Sequence, residues 1–182
     1  SADPFALRRM AQGVVQIVLG KQLPLGWEEL SSLSVQILRD QQEFTNEPDI
    51  LEKQLVDFLD QRERWYLQEK GFRHDLIDAV LKPTSGTPLN RLNFASTLSE
   101  DLNLPEFKKS VEAVVRAINI TNKYAEESQA AKLKEGSLTH EAELALYKAL
   151  EAMALDSESS PQQYLKTLYQ LESSITAFFD GV

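Results

Sequence analysis

Cysteine is absent from the 182 residues and histidine occurs only twice. The first absence excludes disulfides, thiolate nucleophiles, iron–sulfur clusters and Cys-type zinc sites by counting alone. No stretch approaches the roughly 18 consecutive apolar residues that a membrane-spanning helix requires. Strict polar–apolar alternation between turn signals is also missing, so strands are not expected. The seven glycines stand singly and form no phosphate-cradling loop. The opening Ser1-Ala2-Asp3-Pro4-Phe5 lacks the basic-then-apolar pattern of a secretory signal, and so abrupt a start reads as a truncated fragment of a longer chain.

What is present is ordinary globular material: 42% hydrophobic and 26% charged residues, enough for one domain or two small ones. The net charge of −9 argues at first against nucleic acid, because phosphate binding is driven by Lys and Arg displacing counterions. The acid is unevenly placed. Residues 40–60 and 124–182 are each net −6, whereas residues 108–123 carry Lys108, Lys109, Arg116 and Lys123 against Glu112 alone and are net +3. On charge alone, a solvated helix face remains the plainer reading of that stretch.

Helical signals recur along the chain. Asp3-Pro4 forms an N-cap and first-turn proline, after which Leu7, Met10/Ala11, Val14 and Val18 mark one face until Gly20. Trp27, Leu30, Leu33, Ile37 and Leu38 mark a second helix. Asn46-Glu47-Pro48 opens a third, with Leu51, Leu55, Phe58/Leu59, Arg62 and Trp65 in register until Gly71. A short fourth covers Asp75 to Leu81 before Pro83, and the loop signal Thr84-Ser85-Gly86-Thr87-Pro88 marks a subdomain boundary, if there is one, near residues 82–88. Leu89, Leu92 and Leu98 indicate a fifth helix. Pro105 starts a sixth, with Phe107, Val111, Val114/Val115 and Ile118 inward and the basic residues largely outward. A seventh spans about Thr139 to Leu155, and Ser160-Pro161-Gln162-Gln163 is a capping box for the last, which packs through Tyr164/Leu165, Leu168, Leu171, Ile175 and Phe178. The expectation is an all-α bundle of about seven to eight helices. No fixed-period repeat is present.

Catalytic constellations fail on inspection. His74-Asp75 suggests a metal-dependent phosphohydrolase, but such a site needs a further histidine upstream, and the only other one is His140. His140-Glu141 begins like a zinc-protease motif and continues Ala142-Glu143-Leu144, with no second imidazole one turn on. Glu126-Glu127 is a solvated acidic pair on a helix. Neither a catalytic nor a metal-ligating residue is assigned.

Three segments nevertheless carry a specific likeness. Asp3-Pro4-Phe5-Ala6-Leu7-Arg8-Arg9, the run from Gly71 through Phe72, Arg73, His74 and Asp75 to Leu81, and Ala177-Phe178-Phe179-Asp180-Gly181-Val182 together resemble the β subunit of bacterial-type glycyl-tRNA synthetase, in order and approximate spacing. Glu143-Leu144-Ala145-Leu146-Tyr147 resembles its acidic-Leu-Tyr helix. Arg116-Ala117-Ile118-Asn119-Ile120 resembles an Arg-Val-Ala-Asn-Ile segment, with a departure at Ala117-Ile118. The family continues beyond the Phe-Phe-Asp motif, so its last helix is expected to be missing here.

The resemblance implies a non-catalytic C-terminal region, including the helical anticodon-binding domain, of a subunit that pairs with a catalytic α subunit in an α2β2 enzyme. That enzyme attaches glycine to its tRNA using ATP with magnesium. It implies no cofactor in this stretch, no membrane, and a cytoplasmic setting in bacteria or an organellar one in plants. On this reading Lys108, Lys109, Arg116, Asn119 and Lys123 bind tRNA, with Arg64 and Arg73 joining if the third and fourth helices flank that face. Lysine and arginine hold phosphates, and Asn119 offers paired donor and acceptor groups to a base edge. Arg116 and Asn119 alternatively cap or pair across helices. Arg8 and Arg9 are favoured for a structural or interdomain role, and Phe178 and Phe179 for core. The competing function is a helical protein-interaction module that docks subunits or domains without touching RNA.

Overall fold

Helices form where apolar residues recur every three or four positions and where something closes the ends. The computed structural model describes residues 5–41, 47–82, 86–123, 136, 138–153, 155 and 159–181. Within them run α1 (Leu7–Gly20), α2 (Trp27–Gln41), α3 (Pro48–Glu69), α4 (His74–Leu81), α5 (Pro88–Asp101), α6 (Pro105–Lys123), α7 (Glu141–Glu151) and α8 (Pro161–Gly181). Among the described residues there are these eight helices and no strand, in agreement with the all-α expectation. The Asp3-Pro4 cap, Asn46 and the Glu126-Glu127 pair lie outside the described residues.

Two helix ends differ in an instructive way. α3 closes at Gly71, whose φ of 87° is the left-handed conformation expected of glycine, with its N–H donating to Gln68 O and that of Phe72 to Leu67 O. α1 stops where expected and closes through the same pair of bonds, although its left-handed residue is not a glycine. Gly20 is its last helical residue, and Gln22 takes the left-handed position at φ 54°, its N–H bonding Leu19 O and that of Leu23 bonding Val18 O. The hydrogen bonds, not the glycine, decide where this helix ends.

The chain forms two units, Ser1–Ser99 and Glu100–Val182. The loop at 82–88 falls inside the first, and residues 83–85 of it lie outside the described residues. In the first unit α1, α2 and α4 each pack against α3. Ala11, Val15, Val18, Leu19, Trp27 and Leu59 make the buried cluster. The expected faces need correction here. Leu7, Met10, Leu33, Ile37 and Trp65 are exposed, and α2 buries Ser31 and Val35 beside Trp27, which is buried as expected. The small, polar Ser31 is buried in the middle of that stripe, which a purely apolar pattern cannot foresee.

Beneath that cluster lies a charged group. Glu63 is completely buried; Arg91 Nε donates to its Oε1 at 2.9 Å, Arg91 Nη2 to its Oε2 at 2.5 Å, and Trp27 Nε1 to the same Oε2 at 2.7 Å. Arg91 also reaches Asp60 at 3.3 Å and Gly86 O at 3.3 Å. This network ties α2, α3 and α5 together. Burial opposes the Arg91 charge, but the bonds and charge of Glu63 outweigh it and hold the guanidinium above its ordinary pKa. Asp60 is pushed above the usual carboxylate value by burial, with Arg91 acting against the shift.

In the second unit α6 and α7 pack on α8 around Ala113, Leu171 and Ile175, with Val114, Leu146, Ala149, Met153 and Phe179 against them. The expected inward face of α6 is corrected as well. Val111, Val115 and Ile118 are exposed, while the small residues Ser110 and Ala113 are buried. Both later helices carry capping boxes. Ser160 N–H donates to Gln163 Oε1 and Gln163 N–H to Ser160 Oγ at the start of α8, as the sequence predicts. At α7 the cap is His140: its Nδ1 accepts from Ala142 N–H, and Glu143 accepts from the N–H groups of Thr139 and His140. Those backbone bonds hold the Glu143 carboxyl below its ordinary pKa.

The Tyr169 hydroxyl on α8 donates to the Asp101 carboxylate at the end of α5. Burial, and then the bond to Asp101, push the phenol up to about 12. Because the folded value is raised, the associated stability is fully present below the ordinary tyrosine value of about 10 and is lost as pH climbs towards 12. An alkaline unfolding titration is expected to show a loss in that window that Tyr169→Phe lacks; identical profiles for the two proteins would refute the coupling.

Candidate nucleic-acid interface

At 3.6 residues per turn, Lys108, Asn119, Glu112, Lys123, Arg116 and Lys109 project from α6 within about 100° of arc. Lys108, Lys109, Arg116, Asn119 and Lys123 are all exposed. Pro105 starts the helix, and the packing of Ala113 on Leu171 and Ile175 of α8 fixes which side of it faces outward. The result is a cationic ridge roughly 22 Å long from Lys108 to Lys123, at 1.5 Å rise per residue. Val111, Val115 and Ile118 form an exposed apolar margin along one side of it.

The ridge is not uniform. Arg116 lies 4.5 Å above the Phe179 ring, donates to Phe179 O at 3.4 Å and faces Asp180 at 3.5 Å. Its guanidinium thus anchors α6 to α8, the cross-helix pairing anticipated as the alternative, while its side chain stays half exposed. Lys109 and Arg116 border one shallow cleft with Glu172 and Phe179. Lys108 and Asn119 stand on the part of the ridge that leads away from it. Phe178 and Phe179 meet edge to face at 5.2 Å; both are half-buried, and Phe179 packs against the apolar cluster.

Arg64 and Arg73 belong to the first unit, and each is engaged with an acid on α4. Arg64 pairs with Asp78 at 2.5 Å. Arg73 grips Asp75 through two bonds of 3.1 and 2.6 Å, and this contact holds the Asp75 carboxyl below its ordinary pKa. His74 contacts Gln68 at 3.5 Å at the start of α4. Arg64 additionally borders a cleft between α1 and α3 that Arg8, Arg9 and Arg62 share. That gathering was invisible in the sequence because its contributors lie on two helices some fifty residues apart; the adjacent Arg8-Arg9 and the closely spaced Arg62 and Arg64 were its only traces.

A profile of the glycyl-tRNA synthetase beta subunit family matches residues 1–82. The glycine–tRNA ligase beta subunit of Bacillus subtilis is 32% identical over 185 residues, covering 99% of this chain and 25% of that protein. Along almost its whole length the chain is similar to part of the glycine–tRNA ligase β subunit. The homologue from Halalkalibacterium halodurans is 40% identical over 123 residues, 68% of this chain and 18% of its own length. That from Lactobacillus delbrueckii is 31% identical over 181 residues, 99% and 26% respectively. The glycine–tRNA ligase relationship therefore runs through both units, whereas the family profile ends just after α4. The chain spans about a quarter of the length of the β subunits from Bacillus and Lactobacillus. No described helix is long and apolar enough to cross a membrane.

Proposed function

We propose that this chain is the non-catalytic, tRNA-binding C-terminal region of a glycine–tRNA ligase β subunit, with the α6 ridge reading the anticodon arm. The observation that carries this reading is an exposed cationic helix face, bearing Lys108, Asn119 and Lys123, on a chain of net charge −9 that is homologous to a tRNA synthetase subunit. Lysines spaced along a ridge suit successive phosphates, and the Asn119 amide suits an unstacked base edge. On this reading glycine activation with ATP and magnesium belongs to the α subunit of an α2β2 assembly, as the family resemblance implies. A second reading, subunit or interdomain docking, draws support from the exposed Val111, Val115 and Ile118 beside the ridge.

Titration of the chain with glycine tRNA tests the proposal. Binding is expected to weaken with salt at a log–log slope of roughly 0.7–0.9 per phosphate neutralised. Lys108→Glu should weaken it about ten-fold and lower the slope, and Asn119→Ala should weaken it without changing the slope. Footprinting should protect the anticodon stem-loop. Salt-independent or absent binding, or protection confined to the acceptor arm, would overturn this reading in favour of docking.

A further inference from the structure

The cleft between α1 and α3 has a composition of its own. Arg8 and Arg9 of α1 and Arg62 and Arg64 of α3 line a volume of about 480 Å³, and no carboxylate lines it. Trp65 lines it too, with 44% of its surface exposed, in a unit whose other tryptophan, Trp27, is 1% exposed. Three glutamines, Gln12, Gln61 and Gln68, complete the wall. Nothing in core packing requires this set: Trp65 sits on α3 away from the buried stripe of Leu59, Glu63 and Leu67. Two donors in the cleft, Gln12 Nε2 and Arg62 Nε, are buried without an acceptor among the described residues. Such donors cost stability unless an acceptor reaches them.

The chemistry is selective about its ligand. Clustered guanidinia favour phosphates, which they hold through paired N–H bonds. An exposed indole beside them offers a face on which an unpaired base stacks, and the glutamine amides match base edges in both directions. A folded duplex would present phosphates but no free base for Trp65. Arg62 is already placed 5.0 Å over the Phe58 ring, and Arg64 is held by Asp78, so these two are pre-positioned at the cleft.

We infer that this cleft is a second RNA site, in which Arg9 and its neighbours hold the backbone of an unpaired strand while a base stacks on Trp65. The inference rests on the tRNA-binding reading of the chain but uses a different unit and different residues from the α6 ridge. It gives Arg8 and Arg9 a role in ligand binding beyond the structural one their helix position suggests.

The test is fluorescence titration of the full chain with a short unstructured RNA oligonucleotide, and in parallel with glycine tRNA. Trp65 is exposed and Trp27 buried, so oligonucleotide binding is expected to quench the Trp65 emission. Trp65→Phe should remove the quench, and Trp65→Ala should weaken binding about ten-fold. Arg9→Glu should weaken it by a similar factor and reduce the salt slope by about 0.7, the single-strand value for one phosphate contact. Both positions are exposed, and an unchanged helical circular dichroism spectrum certifies the variants as folded. Oligonucleotide and tRNA binding that respond to Lys108→Glu but to neither Arg9→Glu nor Trp65→Ala would overturn the cleft and leave the ridge standing. Absence of binding to either RNA would overturn both. Preference for polyglutamate over RNA, lost in Arg9→Glu, would overturn the inference in favour of an acidic protein segment.

Discussion

Glu63→Ala is expected to destabilise the first unit by about 3–5 kcal/mol, the usual cost of removing one member of a buried ion pair. The magnitude follows from what the substitution strands. Arg91 would keep only Asp60 and Gly86 O, both at 3.3 Å, and its charge would remain largely shielded from water. Trp27 would lose the acceptor of a 2.7 Å bond while its ring stays buried. Glu63→Gln should cost less, because the amide oxygen still accepts one bond, though its NH2 group would face a donor. Replacing both partners by apolar residues, as in Glu63→Leu with Arg91→Met, should recover much of the loss, since neither charge is then left unpaired. Both tryptophans lie in the first unit, so urea unfolding followed by tryptophan emission reads that unit directly. A loss below about 1 kcal/mol for Glu63→Ala, in the range typical of exposed pairs, would show that water reaches the site.

In the second unit Ile175→Ala is expected to cost about 2–5 kcal/mol, combining lost transfer energy with the cavity left behind. Ile175 lies with Leu171 against Ala113, where α8 supports α6, and both Ala113 and its neighbour Ser110 are too small to fill the gap. Because this contact sets which face of α6 is outward, the same substitution should weaken binding by the proposed tRNA ridge even though Ile175 is itself buried at the α6–α8 contact. Lys108→Glu, by contrast, should impair binding with stability nearly unchanged. Far-ultraviolet circular dichroism during urea unfolding, paired with tRNA titration at a temperature where the variant is folded, separates the two. A stable Ile175→Ala protein would indicate that the α6–α8 interface collapses around the void.

How legible these features were from the amino-acid order depended on the range of the interactions involved. The start of α6 at Pro105, the Ser160–Gln163 box and the stop of α3 at Gly71 are local, and each was read correctly from a few neighbouring residues. The buried stripes were read less well. Large apolar residues on α2 and α6 suggested inward faces, which holds for Trp27, but Ser31, Ser110 and Ala113 are buried while Leu33, Ile37, Val111, Val115 and Ile118 are exposed. Nothing local marked Glu63 as buried, since its partners Trp27 and Arg91 stand 36 and 28 residues away.

The candidate sites divide along the same line. The α6 ridge is a single helix, so its cationic face could be assembled from sequence spacing alone, and its exposure then followed from the packing of α8. The engagement of Arg116 with Phe179 and Asp180 could not, because it joins residues more than sixty positions apart. The arginine cleft needed α1 laid against α3 before it existed at all. By itself the sequence determined the helical class, several of the helix ends and the absence of cysteine chemistry, all of which rest on residue counts and on hydrogen bonds between near neighbours. Tertiary structure alone decided which faces are buried, which charges are paired and where arginines gather, because these are set by contacts whose partners the chain brings together only on folding.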